Sequence, residues 1–90
     1  MSDEVLRAAR IALKGIRLAL HRSAIRAADM RSIEIYLLVT ACGVNSTSAA
    51  EVCGCSKQNV SKLVGAVETR REDRNYDKAL AELERAIMGE

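Results

Sequence analysis

The sequence predicts an all-α fold of about five helices, with no β-hairpin attached. Three observations predict it. There is no proline in the chain, while Ala, Leu, Arg, Glu and Lys, all good helix formers, are abundant. Apolar residues return at spacings of three and four in one segment after another. No window alternates apolar and polar residues as a half-buried strand does. Ninety residues, 49% apolar and 29% charged, suit one globular domain over 1–90. Its core is aliphatic, because Phe and Trp are absent and Tyr36 and Tyr76 are the only aromatic residues.

The first helix starts after Ser2, a natural N-cap, with Asp3 and Glu4 in the turn where the helix dipole favours anions. It runs to about His21 or Arg22. Val5, Ala9, Ala12, Leu13, Ile16 and Leu20 share a broad face that should meet the core. Arg7, Arg10, Lys14, Arg17 and His21 form an exposed cationic stripe suited to phosphate contact, or to plain solvation. A membrane-surface helix would carry Trp or Phe anchors, and this one has none. Ile11 and Leu18 lie beyond the stripe, where a monomer has nothing to cover them. With Ala8 and Gly15 they offer a partner surface, so a homodimer through the first helix is expected.

Residues 22–30 read as a linker or short turn, with Asp29 capping a second helix over about 30–42. Ile33, Ile35, Tyr36, Leu37, Leu38, Val39 and Cys42 cover most of its circumference, so it should be central and buried. Gly43 ends it. Ser46 or Ser48 caps a short third helix, and Ser48 with Glu51 fits a capping box. Gly54 stops that helix, and Ser56 caps a fourth, whose Val60, Leu63, Val64 and Val67 face inward and which ends near Arg70 or Arg71. The stretch EDRN breaks the pattern. A last helix from about Asn75 to Met88 puts Tyr76, Ala79, Leu80, Leu83 and Ile87 on one stripe.

Charge is uneven although the net is only +2. Residues 1–31 carry seven Lys/Arg against three Asp/Glu, and residues 57–71 carry four against one. The segment between them has no basic residue, and the C-terminal segment is acidic. Two basic segments on either side of a core segment suit a polyanionic partner. The longest apolar run, IYLLV at 35–39, is too short to span a bilayer. The acidic start has no signal-peptide pattern, and three cysteines without a secretion signal suggest reduced thiols in a cytoplasm. One His, no Gly-rich phosphate loop and no carboxylate pair argue against an enzyme. Two tyrosines give no stacking platform for single strands.

Cys53-Gly54-Cys55 raises a choice between a metal hook and a tight turn. One intervening residue is an unusual zinc spacing, there is no second close pair, and His21 lies on the basic stripe. Both cysteines stand where crossing helices want small apolar groups, and free Cys packs well there. The stretch is therefore read as a turn, with no metal and no cofactor.

Ala50 in a short helix, Gly54 four residues later, and apolar Ala49, Cys53, Cys55, Val60 and Leu63 around them resemble the helix-turn-helix family over about 46–70. The resemblance implies that the second helix of the pair enters the major groove of double-stranded DNA. By position, its outward residues are Ser56, Lys57, Gln58, Ser61 and Lys62, with Asn59 between the exposed and buried faces. Their chemistry fits independently. Gln can bond an adenine edge, Lys can donate to guanine, Ser bonds base or phosphate, and the helix N-terminus attracts phosphate. No acid stands among them, and Arg70 and Arg71 extend the positive charge. The plain alternative is an ordinary solvated helix face.

Winged families follow this element with a hairpin. Here VETRREDRNYDKALAELERAI continues as helix, so VSKLVGAVE is only locally similar to the MarR-type regulators. The overall order resembles the C-terminal DNA-binding domain of the bacterial replication initiator DnaA. That domain has a basic first helix, a buried helix like MRSIEIYLLVTACG, a helix-turn-helix, and a last helix introduced by acidic residues. Where its signature has Asp-His-Thr-Thr, this chain has Ser56, Lys57, Gln58 and Asn59. The implication is a DnaA-like or Trp-repressor-like module that reads duplex sequence. The expected function is transcriptional regulation by a cytoplasmic, nucleoid-associated protein. The alternatives are a replication-related DNA-binding module and a protein-interaction adaptor.

Overall fold

The computed structural model describes residues 3–23 and 25–89. Among them the chain forms five α-helices and no strand: α1 (Asp3–His21), α2 (Ala27–Thr40), α3 (Ser46–Cys53), α4 (Lys57–Arg70) and α5 (Arg74–Met88). The expected cap at Ser2 lies outside the described residues. No described helix is long and apolar enough to cross a membrane.

α2 is the hub. Ile33, Ile35, Leu37 and Leu38 are fully buried, and Tyr36 nearly so. An apolar sequence with no preferred face can be satisfied only by neighbours on several sides, and α1, α3 and α4 all pack on α2. Each buried aliphatic side chain stabilises the fold by about 1.5–3 kcal/mol. One core cluster draws on every helix, from Leu13, Ile16 and Leu20 of α1 to Leu80 and Leu83 of α5. α5 closes it by packing along α1.

The structure corrects four local expectations. On α1, Val5 is 41% exposed and Leu6 is buried instead. The two flank the core face on opposite sides, so periodicity ranks them alike. Only the side covered by a neighbouring helix is buried. α2 begins at Ala27, with Arg26 as an N-cap residue that makes no side-chain cap bond. Asp29 sits inside the first turn and takes a hydrogen bond from Arg70 at 2.6 Å. Its carboxylate is drawn to a cation on α4 rather than to its own helix end. α2 ends at Thr40, with Ala41 as its C-cap residue. Gly43 lies in the turn beyond, at φ +67, where the Val44 amide reaches the Leu38 carbonyl at 3.0 Å. Finally, neither Ser46 nor Ser48 caps α3. Asn45 does, accepting from the Ser48 amide at 2.8 Å. An amide side chain at the N-cap reaches the third helical N–H, so Ser48 lies inside the helix, fully buried.

Candidate nucleic-acid interface

The α3–α4 unit is held by well-formed ends. Ala49 and Ala50 are buried at the crossing, where their small size lets the backbones approach. At the end of α3, Gly54 adopts φ +68. The Cys55 amide bonds the Ala50 carbonyl at 2.9 Å, and the Gly54 amide bonds the Glu51 carbonyl at 3.3 Å. These two bonds form a Schellman motif, which needs a left-handed residue and so favours glycine. Ser56 then opens α4, its hydroxyl accepting from the Asn59 amide at 3.0 Å.

Cys53 and Cys55 are half-buried and pack against the core. Burial pushes the Cys53 thiol above its ordinary range, and the nearby Cys55 adds to the shift. Among the described residues no three His, Cys, Asp or Glu side chains gather in a way that could hold a metal ion.

α4 is amphipathic. Val60 and Val67 are buried, and Leu63 and Val64 pack against the core. Ser56, Lys57, Gln58, Ser61 and Lys62 are exposed, and Asn59 is half-buried. The first acid on the helix is Glu68, in its second half. Between them lies Gly65, exposed, where an added Cβ would touch nothing within 4 Å. Glycine in a helix interior costs about 0.8–1 kcal/mol relative to alanine. No neighbour within the described residues requires that loss.

The two arginines beyond this face pair with acids of the protein, Arg70 at the surface and Arg71 half-buried. Arg70 bonds Asp29 and lies 4.3 Å above the Tyr76 ring. Arg71 is held by Asp77, by Glu84 at 2.9 Å, and by the Tyr36 hydroxyl at 3.2 Å. Its guanidinium pKa is raised, chiefly by the Glu84 hydrogen bond, so it stays charged while locked in place.

On α1, Arg7, Arg10, Lys14 and His21 are exposed and make no ion pair among the described residues. Arg17 bonds Glu34 at 3.3 Å. A residue absent from the sequence reading joins the turn: Arg31 Nη2 donates to the Cys53 carbonyl at 3.0 Å, neutralising the C-terminus of α3. Arg17, Arg31 and Glu34 all act electrostatically on Cys53, so α1 and α2 place cations beside the turn that precedes α4. No local signal could have found Arg31, because its partner lies on another helix.

Comparison of the chain with protein-family models, with curated proteins and with solved structures finds no match.

Proposed function

We propose that the protein binds double-stranded DNA through α3, the Gly54 turn and α4, acting as a wingless helix-turn-helix, and that it regulates transcription by reading sequence. The observation that carries this reading is the exposed, acid-free first half of α4, bearing Lys57, Gln58, Ser61 and Lys62 directly after the hydrogen-bonded Gly54 turn. A helix whose apolar side is anchored by Val60 and Val67 can enter a major groove without losing its own packing. Gln58 and Lys62 then face base edges, while Ser56, Lys57 and the first-turn amides face phosphate. Gly65 supports the same reading, since a missing side chain lets the helix backbone lie closer to the duplex. Arg31 adds charge beside the turn, and Arg7, Arg10 and Lys14 supply flanking phosphate contacts. Arg71 is left out of the contact, because its guanidinium is held by Asp77, Glu84 and Tyr36.

A second reading, a protein-interaction adaptor, is favoured by the exposure of Ile11 and Leu18. The two part on one experiment. The purified chain is titrated against a pool of random duplexes at low and moderate salt, and bound sequences are selected and read. A regulator enriches one motif and binds more weakly as salt rises. Absence of duplex binding at both salts removes the DNA reading and leaves the adaptor.

A further inference from the structure

The outward face of α1 carries an exposed, regularly spaced seam. Ile11 and Leu18 are each 64% exposed. They belong to a seam that recurs at spacings of four and three: Glu4, Ala8, Ile11, Gly15, Leu18 and Arg22. The first five fall on one stripe of α1, opposite the core side formed by Ala9, Leu13, Ile16 and Leu20, and Arg22 follows in the turn directly after its end. All six are exposed. Gly15 is mid-helix, and an added Cβ there would touch nothing within 4 Å. Glycine is a poor helix former, and nothing within the described residues explains its presence.

We propose that a second copy of this chain docks on α1 in antiparallel register, about a two-fold axis that crosses α1 between Ile11 and Gly15. In that register every seam residue meets a complement. Ile11 lies against the second copy's Gly15, and Leu18 against its Ala8. Glu4 lies against the second copy's Arg22. Each large side chain fills the space left by a small one, and each charge meets its opposite. The two-fold repeats each contact, as an isologous interface requires. A parallel pairing would instead set Ile11 on Ile11, Gly15 on Gly15 and Glu4 on Glu4. Neither Glu4 nor Arg22 has an ion-pair partner among the described residues. α1 has 19 residues, a rod of about 28 Å, which carries every layer from Glu4 to Leu18, and Arg22 stands just past its end.

The surroundings fit this occupant. A groove of about 500 Å³ runs between α1 and α5 beside Leu18, Ala19 and Arg22, walled by Ala79, Leu83 and Ala86. In the antiparallel register the N-terminal half of the second copy's α1 lies along it. The axis also brings both Lys14 side chains to one flank, a repulsion that solvent and salt screen. That flank then carries the cationic stripes of both copies side by side. This last consequence bears on DNA binding, whereas the pairing itself stands apart from that reading.

The test is sedimentation equilibrium of the full chain from micromolar to millimolar concentration, under reducing conditions, with helix content followed by circular dichroism. The wild type should pass from monomer to dimer, and Ile11→Asp should stay monomeric with its helices intact. Glu4→Arg alone and Arg22→Glu alone should each weaken the dimer by roughly tenfold. The double variant Glu4→Arg/Arg22→Glu should recover to within about threefold of wild type, because the swapped charges meet again across the axis. A wild type that remains monomeric at millimolar concentration overturns the proposal. So does a dimer indifferent to Ile11→Asp, and so does a double variant no tighter than the singles. Duplex binding is scored separately. A monomer that binds DNA leaves the DNA reading intact, and a dimer that binds none leaves the pairing intact.

Discussion

Arg71 donates from Nη2 to Glu84 Oε1 at 2.9 Å, tying the end of α4 to the middle of α5. The same guanidinium bonds Asp77 through Nε and the Tyr36 hydroxyl through Nη1. One planar fork therefore joins three helices at the corner where α4 turns into α5. Only arginine offers several donors fixed in one plane. A residue expected to extend a DNA-facing surface is thus a clasp, and its positive charge is answered on the protein itself.

Removing that clasp should cost stability without touching recognition. Arg71→Ala leaves Glu84 half-buried beside Asp77 with no cation, and the expected loss is about 2 kcal/mol. Arg71→Lys should recover less than half of it, because an ammonium cannot reach all three acceptors at once. Urea denaturation measures both. Duplex affinity of the folded variants should match wild type, and a selective loss of affinity would return Arg71 to the DNA surface.

Lys57 and Lys62 are the exposed cations of α4's first half. Changing either to Ala should leave urea stability within about 0.5 kcal/mol. In duplex titrations at several salt concentrations, each phosphate-contacting lysine lost should lower the slope of log affinity against log salt by roughly 1. Lys57 is the phosphate contact of the proposed complex, whereas Lys62 reads a base, so Lys62→Ala should relax the selected motif at one position and leave the slope nearly unchanged.

Gly65→Ala separates folding from binding in a single variant. The added methyl meets nothing inside the protein and improves helix propensity, so stability should rise by about 0.5–1 kcal/mol. On a face pressed against a duplex the same methyl should weaken binding by at least about fivefold. Thermal unfolding and duplex titration of the variant give both numbers. A gain in stability with unchanged affinity would mean that α4 does not approach DNA at this position.

The start of α3 offers a test of capping. Asn45→Ala removes the acceptor for the Ser48 amide and should cost about 1 kcal/mol. Ser46→Ala should cost no more than about 0.3 kcal/mol, since its hydroxyl is not the cap. Equal losses in urea melts of the two variants would contradict the placement of the cap.

Alkaline pH should destabilise the protein in two stages. Burial raises the Cys42 and Cys53 thiols above their ordinary value of 9.0 and the Tyr76 phenol above 10.0. In each case the folded state holds the proton more tightly than the unfolded chain. The contribution is therefore complete below the unfolded value and is lost as pH rises through the folded one. Stability should fall above pH 9 and faster above pH 10. Tyr76→Phe should remove the second stage. It should also add about 1 kcal/mol at neutral pH, because the buried hydroxyl has no partner among the described residues. Stability curves of the two proteins against pH check both effects.

Much of the helical order was legible in the sequence, because it follows from short-range rules. The three-and-four spacing marked α1, α4 and α5 close to their observed limits. Gly54 and Ser56 marked the turn from their own chemistry, a left-handed φ and a hydroxyl acceptor. The exposed Ile11 and Leu18 also followed from winding the helix. Where two local solutions were equally good, the sequence could not choose. Asn45 can cap as well as the expected Ser46 or Ser48, and Leu6 flanks the core face as closely as the expected Val5.

What the sequence by itself determined about this protein is which segments are helical, which faces are apolar, and where the acid-free surface of α4 lies. These depend on residues within one or two turns of each other. What only the tertiary structure decided is which charges are paired within the protein. Arg70 pairs with Asp29 and Arg71 with Asp77 and Glu84, while Arg31 is carried to the Cys53 carbonyl. An ion pair forms between side chains that packing brings into hydrogen-bond contact, whatever their separation along the chain. The apolar pattern can therefore be read along the chain, but the charge surface only after the helices are in place.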